Sequence, residues 1–589
     1  MRAAAVLLPL LVGAACGCSN LLISPGASTD GSGMISYASD DGGLYGDLAH
    51  YPAADHAPGS MRDTYDWDSG AYLGQIPEVA HTYGVVGNMN EWGLAISETT
   101  FGGLPAYAAQ PGALLSYGGL IWVTLQRAKT AREAVRVMGE LVATYGYASE
   151  GESFSLNDGE EVWYLEMFSK GKAGKGAVWV ALRVPDGHVT AHANQARIRS
   201  WDWSDAEGAL YAEDVCTFAQ GQKLYPAAAD CKDFSFSDTY DPVDFSGARF
   251  CEARVWSFFG AIMGPGFADE YEDYITGRNL THRMPVFVKP ARKLSLNDTM
   301  WHFRNHYEGT ALDQRADVGA GPFRSAFRVG DGLQWEASSG RQYVNERAIS
   351  VQATGWHFTA QVRNASVPPP VRGILWFGPD DTKHTLNVPF YSGTTRVPAA
   401  WDGADCMGRS ACRRAKNLTG TITDFSFQAA HWVFNMVSNY AYSRYDAITP
   451  VVSAKIAATE ARWFAETAAV DAKATALYAT DPAAAVEMVT DYSFRTGAKA
   501  VTDWLAFWQQ LFVTFVDGYE TKADATNQVC GCSKNSVPYP QSWHDRIANE
   551  TGSKYEVPDG AAGALGASRK RRFLAQSRRA PPCPACGKL

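Results

Sequence analysis

From Cys18 to about residue 400 the chain alternates short apolar runs with Gly and Asp turns. Examples are Val162-Trp163-Tyr164-Leu165, Ala177-Val178-Trp179-Val180-Ala181 and Gly373-Ile374-Leu375-Trp376-Phe377. Such runs, rich in β-branched and aromatic residues and bounded by turn formers, predict strands, and the few helices between them predict an α+β fold with a large sheet content. One helix is marked at its start. Thr130-Ala131-Arg132-Glu133 has capping-box spacing, and Ala134, Met138, Leu141 and Val142 then recur at helical intervals. Between about Ser426 and Tyr519, Ala-rich stretches of the 3.6-residue period replace the strands and predict several packed helices. The periodicity stops near Ala525. Residues 526–589 are rich in Gly, Ser, Pro, Ala and Arg and predict a largely disordered tail. With no internal repeat visible, the predicted organisation is one domain over 18–525, its helical part at about 426–519.

The first 17 residues follow another pattern. Arg2 precedes the apolar run Ala3 to Val12, and Ala15-Cys16-Gly17 offers small residues at a cleavage position. This predicts a signal peptide, because a membrane span needs ~20 apolar residues; no later stretch is long enough either. The expected destination is secretion or a lysosomal or vacuolar lumen, where the sequons at Asn279, Asn297, Asn364, Asn417 and Asn549 are open to glycosylation. In an oxidising lumen the short intervals Cys216 to Cys231 and Cys406 to Cys412 suit disulfide loops, although spacing alone leaves connectivity open. Cys583-Pro-Ala-Cys586 has CxxC spacing but neither a second pair nor a strand–helix context, so it reads as a disulfide or free thiols in the tail.

Composition narrows the function classes. Hydrophobic residues at 46% and charged residues at 19% exclude a disordered, collagenous or coiled-coil chain. The formal charge is −10, and residues 561–589 hold seven Lys or Arg and no acid, so the rest of the chain is more acidic still. A body of that charge is a poor phosphate binder, and nucleic acid is not an expected partner.

The residue that points to chemistry is Cys18. Cleavage after Gly17 would place it at a new N-terminus, where one residue carries both a thiol and an α-amino group of pKa ~7.7 to 8.0. The amine can take the thiol proton, and the thiolate can attack a carbonyl.

The residues downstream extend this reading. Cys18-Ser-Asn-Leu-Leu-Ile-Ser-Pro-Gly-Ala27-Ser-Thr-Asp30-Gly31-Ser32 resembles the opening of the cysteine dipeptidases related to dipeptidase D and secernin: Cys, a strand, a small turn with Ala, then Asp-Gly-Ser. The likeness continues through Tyr37-Ala-Ser-Asp40, Asn88-Met-Asn90-Glu91-Trp-Gly-Leu-Ala-Ile-Ser-Glu98-Thr99-Thr100, Gly151-Glu152-Ser153-Phe-Ser155, His192-Ala-Asn194-Gln195-Ala-Arg197 and Arg249-Phe-Cys-Glu252-Ala-Arg254-Val-Trp256. It covers residues 18 to about 520. The resemblance implies an N-terminal nucleophile hydrolase, an αββα sandwich of two stacked sheets between helical layers. The related penicillin V and conjugated bile acid hydrolases imply the roles: Cys18 as nucleophile, Asp40 contacting the N-terminal amine, Asn194 donating to the oxyanion or holding the amine, and Arg249 or Arg254, preferably Arg249, as the site arginine. Tyr37 stands where those acylases carry another arginine, a departure that bears on how the thiol is activated. Glu98, Thr99 and Thr100 match pocket-lining positions, with Glu98 suited to a substrate ammonium and a threonine to the oxyanion. His192 reads as structural.

Without HExxH, a P-loop or a Gly-rich dinucleotide fingerprint, neither a metal nor a nucleotide cofactor is expected. The reading is a cysteine dipeptidase acting through an acyl-enzyme at Cys18 on small peptide substrates. Hydrolysis of N-acyl amides by the same machinery is one alternative, and a catalytically silent secreted binding protein is another.

Overall fold

The computed structural model describes residues 17–559, apart from 109, 329–332 and 407–408. Residues 1–16 of the expected signal peptide at 1–17, the basic run from Arg569 and Cys583-Pro-Ala-Cys586 lie outside the described residues.

The first strand, Ser19–Ile23, is buried along its whole length and hydrogen-bonded on both edges. That explains why Leu21-Leu22-Ile23 shows no apolar–polar alternation: both of its faces are covered. Leu21 and Ile23 pack with Ala253, Val255 and Phe258 of the helix Ala253–Met263, whereas Leu22 belongs to the large core on the opposite face. The strand lies in a six-stranded sheet ordered Val189–His192, Ser19–Ile23, Gly33–Asp40, Thr354–Val362, Gly373–Pro379 and Val388–Tyr391.

A nine-stranded sheet contains Ala95–Gly102, Gly151–Asn157, Val162–Ser169 and Ala177–Arg183 as successive antiparallel neighbours. Helices Tyr117–Leu125 and Ala131–Tyr145 cover its outer side, sharing an apolar cluster with Ile96, Phe154, Leu156 and Trp163. The second of these is the helix that the sequence marks. Thr130 caps it by accepting from the Glu133 amide, and Ala134, Met138, Leu141 and Val142 are buried. Glu133 reaches one residue further back than a capping box requires, accepting from the Lys129 amide at 2.8 Å.

The helical region comprises Ala430–Ser443, Tyr445–Tyr478 and Pro482–Thr514. Asp481 caps the third helix through the Ala484 amide, with Pro482 at its first position, where the missing N–H costs nothing. This region is tied to the sheets by a buried ion pair. Glu460 of the second helix meets Arg304 at 2.6 Å, and Arg304 also donates to the carbonyls of Thr382 and Thr385. The result is a mixed α+β architecture with a C-terminal helical region.

Two features differ from the pattern reading. Residues 526–559 are not featureless: Cys532–Ser536 pairs with Tyr519–Ala523 as a hairpin, and Gln541–Thr551 is helical. Neither has a buried apolar stripe, which is why periodicity did not reveal them. Disulfides close Cys216–Cys231 and Cys406–Cys412, and a third joins Cys530 to Cys532. Among the described residues no helix is long and apolar enough to cross a membrane.

Candidate active site

Cys18 immediately precedes the first strand, and its thiol meets groups from both sheets. Register sets Asn20 opposite Tyr37 on the neighbouring strand, which brings the Tyr37 hydroxyl to 3.4 Å from Cys18 Sγ. From the other sheet, Glu98 Oε1 lies 3.7 Å from the sulfur and accepts a hydrogen bond from Tyr37. Asn20 fixes this approach by donating to the Glu98 carbonyl at 2.7 Å while accepting from Ser97. Burial is the largest influence on all three ionisable groups. It pushes the Cys18 thiol well up, with the Glu98 and Asp40 charges adding to the rise. It likewise raises the Tyr37 phenol and the Glu98 carboxyl. Tyr37 is therefore a neutral hydrogen-bonding group bridging thiol and carboxyl.

The backbone of Gly17 and Cys18 is held by a second, cationic group. Arg254 donates to the Cys18 carbonyl at 2.7 Å, to the Gly17 carbonyl at 3.2 Å and to Ser19 Oγ at 3.0 Å. Its other terminal nitrogen donates to Asn194 Oδ1 at 2.7 Å, and Asn194 Nδ2 in turn donates to the Thr100 carbonyl. Asp40 accepts from Thr354 and pairs with the buried Arg347 at 2.8 Å, and its backbone carbonyl accepts from the Gly17 amide at 3.0 Å. Gly17 fills the space between these groups. A Cβ there would stand 2.5 Å from Asn194 Oδ1 and 3.1 Å from Arg347, so no larger residue fits without displacement.

The structure brings Cys18, Tyr37, Glu98, Asp40 and Asn194 together and separates three other candidates from the thiol. Arg249 lies in the π-helical turn Gly247–Glu252, where it pairs with Glu346 and reaches the Thr276 carbonyl; Arg254 occupies the site in its place. Thr99 is wholly buried and engaged with His192 Nδ1, while Ser155 engages Nε2. His192 is thus structural, its pKa driven well down by burial and by nearby Arg197. Thr100 contributes its carbonyl to Asn194 and its hydroxyl to Glu152.

Two residues of this constellation escaped the sequence reading as functional candidates. Arg347 sits in no motif and reaches Asp40 only through the fold. Glu152 lies within a quoted motif, but its position beside Glu98 follows from strand pairing: Thr100 is opposite Glu152 and Glu98 opposite Phe154, which makes the two glutamates diagonal neighbours on one face. Among the described residues, Asp405, Cys406 and Cys412 come within metal-binding distance of one another, but the two sulfurs are spent on a disulfide.

A half-buried thiol beside a carboxyl, on a backbone held by a guanidinium, is arranged as a nucleophile could be. The family comparison is more specific: the model for peptidase family C69 matches residues 17–457, and the chain belongs to that family of peptide-bond hydrolases. Among curated proteins it is similar to a "Probable dipeptidase" of Latilactobacillus sakei, 26% identical over 400 residues that cover 64% of this chain and 74% of the relative. A "Probable dipeptidase" of Salmonella dublin is 27% identical over 335 residues, covering 52% and 70%. "Dipeptidase A" of Lactobacillus helveticus is 24% identical over 437 residues, covering 70% and 82%.

Proposed function

We propose that this chain is a dipeptidase whose Cys18 becomes the N-terminal residue on maturation, and that it has the αββα organisation of N-terminal nucleophile hydrolases. The observation that carries this is the surroundings of Cys18: the head of a fully buried strand, its carbonyl held by Arg254 and its thiol beside Tyr37 and Glu98. The names of the curated relatives point to the same substrates.

The chemistry follows from the geometry. With Gly17 attached, the nitrogen of Cys18 is an amide and cannot accept a proton, and Gly17 occupies the space lined by Asn194, Arg254 and Arg347. Removal of Gly17 supplies both the base and the room. The free amine takes the thiol proton, and the thiolate adds to the substrate carbonyl. The C–N bond breaks as the leaving amine takes that proton, and water hydrolyses the thioester and regenerates the thiol. Negative charge on the tetrahedral oxygen develops near the Arg254–Asn194 side. A lumenal setting is supported by the disulfides Cys216–Cys231 and Cys406–Cys412.

The direct test is the N-terminus of active protein, which mass spectrometry is expected to read as Cys-Ser-Asn. Active enzyme that begins at any other residue refutes the amine as base.

Asn194 has φ of 47°, so an alanine there would add backbone strain to the loss of the amide, and Asn194→Gly is the cleaner variant. Turnover is expected to fall about 100- to 1000-fold with little change in melting temperature. Turnover within threefold of the parent would leave Asn194 only as the link between Arg254 and the Thr100 carbonyl.

A further inference from the structure

Beside the thiol lies a group of acids with no matching cation. Glu98 and Glu152 are buried, at 5% and 0% exposure, and are diagonal neighbours on paired strands. Two carboxyls buried side by side do not both ionise readily, so the empty pair keeps a proton. Glu98 Oε2 and Glu152 Oε1 have no hydrogen-bond donor, and among the described residues no Lys, Arg or His pairs with either side chain. Apart from the Thr100 hydroxyl, which donates to Glu152 Oε2 at 3.1 Å, the groups that act on the pair are acidic, phenolic or thiol. They are Cys18 and Tyr37 from the first two strands, exposed Asp68, Tyr117, which donates to Asp68 at 2.8 Å, and Tyr147 after the helix Ala131–Tyr145. The Tyr147 hydroxyl is itself buried without a hydrogen-bond partner. Two half-satisfied carboxyls and an orphan hydroxyl, walled by further acids, are costly in an empty protein and suit a bound cation with several N–H donors.

We propose that Glu98 and Glu152 form a two-carboxylate socket for the substrate's α-ammonium group, which enters by displacing the proton that the empty pair keeps. This rests on the dipeptidase reading above and deepens it. The ammonium and the carbonyl carbon of one amino-acid residue are about 2.5 Å apart by standard bond lengths. An ammonium on the pair, with Glu98 Oε1 at 3.7 Å from Cys18 Sγ, therefore brings the first carbonyl of the peptide to the thiol, and the bond broken is the one after the first residue. A peptide with a blocked amino group offers neither the charge nor the three donors, so the site selects free N-termini.

Binding is then linked to protons. The free pair holds one proton and the occupied pair none, so each peptide bound releases up to one proton, and affinity rises with pH until the free pair ionises fully. Burial raises both carboxyls, Glu152 strongly, and their mutual charge raises it further.

The test uses mature protein carrying Cys18→Ala, which binds without turnover, titrated with alanyl-alanine in two buffers of different ionisation enthalpy between pH 5 and 7. The expected result is release approaching one proton per peptide at the acid end, with N-acetyl-alanyl-alanine bound at least tenfold more weakly and releasing none. Adding Glu152→Gln should weaken the free dipeptide about 10- to 100-fold, leave the acetylated one unchanged and remove most of the proton release. Equal binding of the two peptides, binding without proton release, or a folded Glu152→Gln variant with parental affinity would each overturn the socket. If Glu152→Gln does not fold, the proton count on the Cys18→Ala protein decides alone. Wild-type enzyme that cleaves no dipeptide refutes the dipeptidase reading itself, whereas active enzyme with no proton release refutes only the socket.

Discussion

Cys18→Ala, correctly processed and folded, is expected to hydrolyse dipeptides at least about 10⁴-fold more slowly than the parent, because it removes the atom that forms the acyl-enzyme. Folding should survive the change. The Cys18 side chain makes only weak thiol contacts with Tyr37 and Glu98, while the backbone bonds from Arg254 remain. Cys18→Ser should keep a trace of activity, since the hydroxyl lies beside the same amine but is a poorer nucleophile. Cys16→Ala is the control: it removes a thiol two residues away that belongs to the proposed leader, and it should be silent when secretion is normal. The measurement is steady-state turnover of a dipeptide, with burst kinetics to detect the thioester in the parent. Full activity in processed Cys18→Ala, free of contaminating peptidase, would sink the nucleophile assignment.

How much of this site was legible in the sequence depends on what each residue's role rests on. Cys18, Asp40, Glu98 and Asn194 were legible because they stand in local runs whose spacing carries the family likeness. The helix starting at Thr130 was legible because capping and periodicity are local too. The arginine was not. Arg249 and Arg254 are close in sequence but turn to different partners, Glu346 in one case and the Cys18 carbonyl in the other, and only the tertiary placement of their helix distinguishes them. Thr99 illustrates the strand version of the same limit. Glu98 reaches the thiol, while Thr99, its immediate neighbour, is engaged with His192. Arg347, more than 300 residues from Asp40 in the chain, carries no local signal. The hairpin and helix after residue 518 lack the buried apolar face on which pattern reading depends.

Asp40→Asn tests how far the tertiary network changes the sequence-based expectation. Read from the motif alone, Asp40 is a partner of the N-terminal amine, and its amide should mainly shift the acidic limb of the pH profile. The structure gives it a second burden. Arg347 and Asp40 are almost wholly buried, their side chains 4% and 0% exposed, and the Arg347 terminal nitrogens have no hydrogen-bond partner beyond this ion pair. Asp40→Asn leaves a guanidinium buried beside Arg254, whose own pKa is already lowered by burial and by the Arg347 charge. Removing one member of a buried pair typically costs about 3 to 5 kcal/mol, and the expected result is a loss of that size in urea unfolding together with the loss of hydrolysis. Arg347→Met should cost a similar amount, because it strands the carboxylate instead. The double variant Asp40→Asn/Arg347→Met should recover most of the lost stability, since neither buried charge then lacks its partner, while activity stays low. A single Asp40→Asn variant that unfolds within about 1 kcal/mol of the parent, with only its acidic limb moved, would return Asp40 to the role the motif alone gives it.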